Sequence, residues 1–382
     1  MCNMLDLPKT RVAIVACDSY KQDILDEKIE ELLDLLGGLD KYIKPGMRVL
    51  LKPNLLSAKE PARAITTHPE IVAAVARKVR ELGAEVIVGD SPGGAKRGVQ
   101  RVWENTGMLA MAERENIRLV NFESGGVVRF EINGKSYHLA KHAVEADFII
   151  SLPKLKTHVL TLMTGGVKNM FGLIPGFRKG EYHKEAPKPN DFAQILVDIL
   201  SLKPPGLTIM DAVLAMEGDG PSSGTPRWAN LLLASPDAVA IDAVASEIIG
   251  LKPDRVPTTR IASEAGLGIA WPEALDIVGE KVVDIRFSDF KLTSNRKIEL
   301  IPGILTKLLG RYIWVRPAIS ENSCTRCDIC ANSCPTGALS KHVNGVPTFD
   351  YEKCINCWCC HELCPSKSVF VNQSWLAKKF IR

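Results

Sequence analysis

The chain has 382 residues, of which 46% are apolar and 24% charged, and a formal net charge of +4. That length suits two or three domains, and that composition supports a sizeable buried core. A charge this small, without a basic arm or aromatic–basic alternation, gives no case for nucleic acid as a partner. No apolar run is long enough to span a bilayer, and Met1 to Thr10, with Asp6 and Pro8, lacks the apolar stretch of a secretory signal.

Residues 1–285 alternate short β-rich runs with helical stretches, which predicts an α/β domain with a largely parallel sheet and flanking helices. The predicted strands are Arg11–Ala16, Arg48–Lys52, Glu85–Gly89, Asp147–Ser151, Leu207–Asp211 and Leu231–Ala234. Several are continuously apolar, as strands buried on both faces should be. Helices are predicted over Ile24–Leu36, from a capping box at Thr67 and Glu70 to a stop at Gly83, and over Asn190–Leu202 and Asp237–Ile249. Asp237 reads as the cap of the last one.

In open α/β sheets ligands bind beyond the carboxyl ends of the strands. Four segments therefore stand out: Lys52-Pro53-Asn54, Asp90-Ser91-Pro92-Gly93-Gly94 with Lys96 and Arg97, the run from Lys154 and Lys156 through His158 to Lys168-Asn169, and Glu217–Pro221. Glycine turns let a backbone approach a ligand, and helix starts favour anions. The set predicts a site for a small carboxylate- or phosphate-bearing molecule, with Lys52, Asn54, Asp90, Ser91, Lys156 and Asn169 binding it. Lys168, set between a glycine pair and Met170-Phe171, is the leading acid–base candidate, with Lys154 and His158 beside it; His183 brackets the same segment. The Asp90 loop is neither a Walker loop nor a dinucleotide fingerprint. His68, His158 and His183 have no metal-ligand spacing.

Residues 286–316 hold seven Lys or Arg against Asp289 and Glu299 and read as a basic linker or docking segment. A stretch of this kind can also lie on a membrane surface, but docking on the body of the protein is the favoured reading. The tail, residues 373–382, is basic and amphipathic; it is either a second membrane signal or a segment packed across the module before it.

That module, residues 317–372, carries the most specific signal in the chain. Cys324, Cys327, Cys330 and Cys334 follow C-x2-C-x2-C-x3-C with Pro335 next, and Cys354, Cys357, Cys360, Cys364 and Pro365 repeat it 30 positions on. This is the spacing of a ferredoxin with two [4Fe–4S] clusters, in which the fourth cysteine of each run ligates the other cluster. The expected sets are Cys324, Cys327, Cys330 with Cys364, and Cys354, Cys357, Cys360 with Cys334. A structural zinc site would use separated pairs, and a disulfide framework belongs to small secreted domains. Cys359 is left over and reads as a non-ligand thiol. The fold expectation is thus an α/β domain plus a small ferredoxin-like α+β dicluster domain.

Several strings in one order resemble a known family: Leu51-Lys52-Pro53-Asn54, Thr67-His68-Pro69-Glu70, Gly89-Asp90-Ser91-Pro92, Pro153–His158, Lys168–Gly172 and Glu217–Pro221. The resemblance is to the family catalogued as domain of unknown function 362, many members of which end in a dicluster ferredoxin. Cys357-Trp358-Cys359-Cys360 resembles that family's second-cluster motif. The resemblance implies an α/β domain feeding a ferredoxin module and carries no reaction with it.

The leading expectation is a cytoplasmic iron–sulfur oxidoreductase that exchanges electrons with a protein partner and with a small anionic substrate or cofactor. The alternative is a non-catalytic electron-transfer subunit or metallocofactor assembly factor. A third reading keeps the clusters structural or sensory in a non-redox enzyme.

Overall fold

Runs such as Val49-Leu50-Leu51 and Ile149-Ile150 carry apolar side chains on both faces of the strand, so they are stable only between two layers of helices. The computed structural model describes residues 10–93, 98–176, 178–293, 312, 314–341 and 345–381. It realises that arrangement. Strands β1 (Arg11–Ala16), β2 (Arg48–Pro53), β3 (Glu85–Asp90) and β4 (Arg118–Asn121) precede a β5–β6 hairpin (Val127–Ile132, Lys135–Ala140) that forms its own two-stranded sheet. Strands β7 (Phe148–Leu152), β8 (Lys154–His158), β9 (Leu162–Thr164), β10 (Leu207–Glu217), β11 (Thr225–Ser235) and β12 (Asp276–Gly279) complete the main sheet. Its order is β12-β1-β11-β10-β7-β2-β3-β4, with β8 and β9 branching from β10. The pairs β1–β11, β10–β11 and β8–β9 are antiparallel, and the others are parallel.

The chain builds outward from β2 through β3 to β4, then returns to place β7 on the other side of β2. This reversal between β2 and β7 is a topological switch point, where a doubly wound sheet opens a crevice at the carboxyl ends of its strands. Pro153, which cannot donate to a ladder, separates β7 from β8. The long strand β10 spans the break, pairing first with Ile150 and Ser151 and then with Lys154 and Lys156.

The predicted strands lie within a residue of the observed ones at their starts, except that β11 begins at Thr225, and β10 and β11 form a hairpin of 11-residue strands. Helices α1 (Gln22–Leu35) and α2 (Pro69–Glu81) follow the expected stretches. The expected cap at Thr67 is corrected. His68 caps α2, accepting at Nδ1 from the Glu70 N–H, because Pro69 supplies the first helical residue. Thr67 Oγ1 instead accepts from the Asn54 N–H and donates to the Leu152 carbonyl, tying β2 to β7. Further helices are α3 (Val99–Asn105), α4 (Gly166–Asn169), α5 (Arg178–Glu185), α6 (Pro189–Leu202) and α7 (Ala238–Ile248). Asp237 caps α7 as expected, accepting from the Val239 and Ala240 N–H groups.

The C-terminal module has two small sheets, β13 (Val315–Ile319) with β16 (Val369–Gln373) and β14 (Leu339–Ser340) with β15 (Thr348–Phe349). Its short helices are α8 (Ile329–Asn332) and α9 (Cys359–Leu363), and α10 (Trp375–Ile381) follows. The module is seated on the α/β unit. Trp358 packs into the same apolar cluster as Phe171 and Phe192, Ser222 Oγ donates to the Glu362 carbonyl, and Lys59 donates to the Pro365 carbonyl. In the tail, Ala377 is buried and Trp375 exposed. Of the basic segment, Phe290 and Thr293 are buried against the body, and Arg227 pairs with Asp289. Residues 294–311 and 313, like Cys2, Gly94, Lys96 and Arg97, lie outside the described residues.

Candidate functional site

The two cysteine runs fold as related loops. Arg326 and Asp328 hold left-handed backbone angles in the first (φ 53° and 55°), and Asn356 and Trp358, 30 positions on, hold them in the second (φ 53° and 63°). These turns aim successive thiols inward before α8 and α9 begin. The Ala338 N–H donates to Cys334 Sγ and the Ser368 N–H to Cys364 Sγ, each at 3.2 Å. Cys324, Cys327, Cys330 and Cys364 line one small cavity. Cys354, Cys357, Cys360 and Cys334 line a second, where Cys359 joins them. Among the described residues no three His, Cys, Asp or Glu side chains converge as they would on a single metal ion. The thiols instead ring a space, and thiolates are the donors that iron–sulfur clusters take. The residues fit iron–sulfur cluster binding.

A larger cavity, about 330 Å³, opens between this module and the carboxyl ends of β2 and β3. The α/β side contributes Lys52, Asn54, Asp90, Ser91, Lys168, Asn169, Phe171, Lys179 and His183; the cysteine module contributes Cys334, Cys359, Glu362 and Leu363. Its floor is a buried ion pair. Lys52 Nζ lies 2.8 Å from Asp90 Oδ1 and also donates to Asn169 Oδ1 and the Pro53 carbonyl. Asp90 Oδ2 accepts from the Leu55 N–H. Asn169 Nδ2 donates to the Lys52 carbonyl and Ser151 Oγ, so β2, β7 and α4 lock together beneath the cavity. Gly172 passes directly above, where a Cβ would overlap Asp90 Oδ1 and Lys52 Nζ.

Removing one partner of such a pair leaves the other charge buried and unmatched. Lys52→Met is expected to lower stability by about 3–5 kcal/mol, read as a shift of the urea midpoint at constant m-value. A loss below about 1 kcal/mol would show that the pair is better solvated than its burial implies.

Helix α4 presents Lys168. Asp242, buried on α7, accepts from the Gly166 N–H at 2.5 Å and the Val167 N–H at 3.1 Å, fixing the start of this one-turn helix. A Cβ on Gly165 would overlap that carboxylate, which accounts for the glycine there. Lys168 Nζ is 5.9 Å from the Phe171 ring centroid, and Lys179 Nζ is 5.8 Å from it. Burial pushes Lys168 below the usual lysine range against the opposing pull of Glu362. Burial also brings Lys179 down to about 8, although Asp90 and Glu123 oppose it; its ammonium donates to the Ser91 carbonyl. His183, stacked 4.1 Å from Phe192, is pulled down to about 4 by burial and is neutral at ordinary pH. Three buried polar atoms of cavity-lining residues, Asn54 Oδ1, His183 Nδ1 and Glu362 Oε1, have no well-aligned hydrogen-bond partner among the described residues.

The remaining predicted residues do not line this cavity. Lys154 Nζ sits 2.8 Å from Asp211 Oδ2 and 2.9 Å from Tyr20 Oη, in a separate cluster capped by the Tyr20–His68 ring stack. Lys156 is buried and donates to the Ile65 carbonyl at 2.6 Å; burial, with Lys168 nearby, holds it well below the lysine range. His158 stands behind the cavity wall. Its Nδ1 accepts from the Leu160 and Thr161 N–H groups, which puts the proton on Nε2. That nitrogen lies 3.0 Å from Glu362 Oε1, off the ideal hydrogen-bond line. Burial and the charge of Lys168 take His158 down to about 3. It therefore meets the cavity as a neutral ring behind Glu362.

Lys179 and Glu362 are the residues that sequence reasoning missed. Lys179 lies in a mixed basic segment with no motif of its own, and Glu362 hides between two cysteines of the second run, whose spacing was accounted for without it.

A mostly parallel α/β unit bearing a cysteine module at the carboxyl ends of its strands defines an iron–sulfur electron-transfer protein. Residues 317–340 match the 4Fe-4S binding domain. The chain belongs to the family described as Domain of unknown function (DUF362), matched by residues 49–247. A thylakoid-associated protein of Synechocystis sp. is 42% identical over 261 residues, 67% of this chain and 79% of that protein. The pyruvate synthase subunit PorD of Methanocaldococcus jannaschii is 32% identical over 60 residues, 16% of this chain and 70% of that protein. Among solved structures, lactate racemase apoprotein from Thermoanaerobacterium thermosaccharolyticum superposes with a TM-score of 0.39 at 14% identity, covering 61% of this chain and 57% of that one. No described helix is long and apolar enough to cross a membrane.

Proposed function

We propose that the protein is an oxidoreductase holding two [4Fe–4S] clusters, in which a small anionic substrate or cofactor binds in the 330 Å³ cavity and exchanges electrons with a redox partner. The observation that carries this reading is the shared wall. Cys334, assigned to the second cluster, lines both the cysteine cavity and the cavity of Lys168 and Asn169. When bound, such clusters supply electrons one at a time. Lys168 and Lys179 attract and orient the anion, Asn54 Oδ1 offers an unused acceptor to its polar hydrogens, His183 Nδ1 offers an unpartnered ring nitrogen, and Phe171 and Leu363 exclude water. Lys168, lowered in pKa and held by the α4 cap, is placed to donate a proton as charge develops. Lys52, Asp90 and Ser91 shape the floor, and His158 faces Glu362 from behind the wall, while Lys154 and Lys156 stand outside the cavity.

Iron and sulfide counts on anaerobically purified protein, with mass spectrometry of any co-purifying molecule, test this. About eight irons with a bound anion supports the reductase, whereas about eight irons with an empty cavity moves the assignment to a carrier. The second reading, an electron-transfer subunit docking a protein partner, draws on the likeness to PorD, a pyruvate synthase subunit. Free thiols and oxygen-sensitive clusters suit the cytoplasm; the thylakoid association of the cyanobacterial relative makes cell fractionation the check on that placement.

Affinity for the anion should also depend on pH in a definite direction. Binding favours the protonated form of Lys179, whose pKa is about 8. Affinity is thus expected to be flat below that pH and to fall by up to about tenfold per unit above it. Titrating a co-purified carboxylate between pH 6 and 9.5 reads this, and Lys179→Met should flatten the profile. A profile that rises with pH would remove Lys179 from the site.

A further inference from the structure

A second cavity, about 370 Å³, lies on the other side of the loop at Gly93. It shares Gly93, Asn332, Ser333, Glu362 and Leu363 with the first, so the two spaces adjoin. Their characters differ. The second is lined by Lys59, Arg63, Arg101 and Lys367, and its one acid among the described residues is Glu362, which faces His158. Arg63 and Arg101 have no acidic partner among the described residues. Lys59 and Lys367 each give one hydrogen to a backbone carbonyl, of Pro365 and Gly224, and their ammonium groups have no acidic partner among the described residues. Burial lowers the Lys367 pKa, and the charges of Arg63 and Lys59 lower it further. Four cations from the loop after β2, from α3 and from the cysteine module converge on one concavity whose walls include Ile65, Val102, Ile329 and Leu363. Surface charges that serve only solubility are interspersed with the opposite sign; these are not.

We infer that this second cavity binds the phosphate-bearing arm of a ligand whose reacting end lies in the first cavity. The inference rests on the reductase reading for the reacting end and deepens it: the substrate or cofactor is a two-part molecule with a multiply charged phosphate or pyrophosphate group joined to its head across the boundary that Asn332, Ser333 and Glu362 share between the two cavities. Arginines suit bidentate contacts to phosphate oxygens, and lysines add compact charge. The partly apolar walls provide for a non-polar portion between the two ends.

Inorganic pyrophosphate is the probe. Calorimetric titration into anaerobically purified protein with its clusters in place should show binding that weakens as salt rises. The exposed pair Arg63→Glu with Arg101→Glu should weaken it at least tenfold while iron content and melting temperature hold. Lys168→Ala should leave it within twofold. Failure of the intact protein to bind pyrophosphate, unchanged affinity in the charge-reversed pair, or a larger loss in Lys168→Ala than in that pair would each overturn the inference. The two readings separate cleanly: if pyrophosphate binds as expected but the cluster-loaded protein passes no electrons to any molecule bound in the first cavity, the reductase reading alone fails.

Discussion

Lys168→Ala is expected to lower substrate reduction by about 10²–10⁴-fold, the range for loss of a positioned general acid, while the visible absorbance and iron content of the protein stay as they were. The side chain reaches the cavity from a four-residue helix whose start is fixed by the buried Asp242 carboxylate, and burial has lowered its pKa toward the range where proton transfer is useful. Lysine at this position does two things that substitution separates. Lys168→Arg keeps the positive charge but cannot release a proton at ordinary pH, so it should restore ligand affinity without restoring turnover. The backbone around it is held by Asp242, Gly165 and Asn169, not by the lysine ammonium, so Lys168→Ala should also melt close to the parent. Equal activity in Lys168→Ala would show that protons reach the substrate from solvent, and Lys168 would then lose its role as general acid.

Much of the sheet was legible because its strands are buried on both faces and so read as apolar runs; β1, β2 and β3 start where those runs start. What misled was polarity inside the core. Asp211 reads as the end of a strand, yet β10 continues to Glu217 because the carboxylate is satisfied by Lys154 and Tyr20. Lys154–His158 reads as a charged loop but is a fully buried strand, its lysines and histidine each matched to a carboxylate, hydroxyl or carbonyl. Thr67 read as a cap because Glu70 stands three residues later, and the proline between them shifted the cap to His68. The α/β half of the cavity was legible from the strand-end rule. The other half was not, since Cys334, Cys359 and Glu362 reach it only through docking of a module some 200 residues away along the chain. Nor was the second cavity legible, because Lys59, Arg63, Arg101 and Lys367 form no run in the sequence and meet only in the folded chain.

Pairs of cysteine substitutions are expected to reveal the crossed ligation directly. If Cys364 belongs with Cys324, Cys327 and Cys330, then Cys364→Ala and Cys327→Ala damage the same site. The double variant should lose no more than about four of eight irons, one cubane's worth. Cys364→Ala with Cys357→Ala damages both sites and should lose nearly all eight. Ligation within each run would reverse the two results, because Cys364 and Cys357 would then share a cluster. The shared cavities support crossing: Cys364 lies with the first run and Cys334 with the second. Cys359→Ala is the control. Cys359 borders both the second cysteine cavity and the 330 Å³ cavity, and with four other thiols in its own cysteine cavity its loss should leave iron content unchanged. A loss of about four irons in Cys359→Ala would make it a ligand in place of one of its neighbours. Cys334→Ala carries a further consequence, since Cys334 lines both the second cysteine cavity and the 330 Å³ cavity. It should depress substrate reduction more than it depresses acceptance of electrons at the first site. Cys364→Ala, acting at the far end of the path, should depress both together, and that asymmetry would fix the direction in which the module is wired to the cavity.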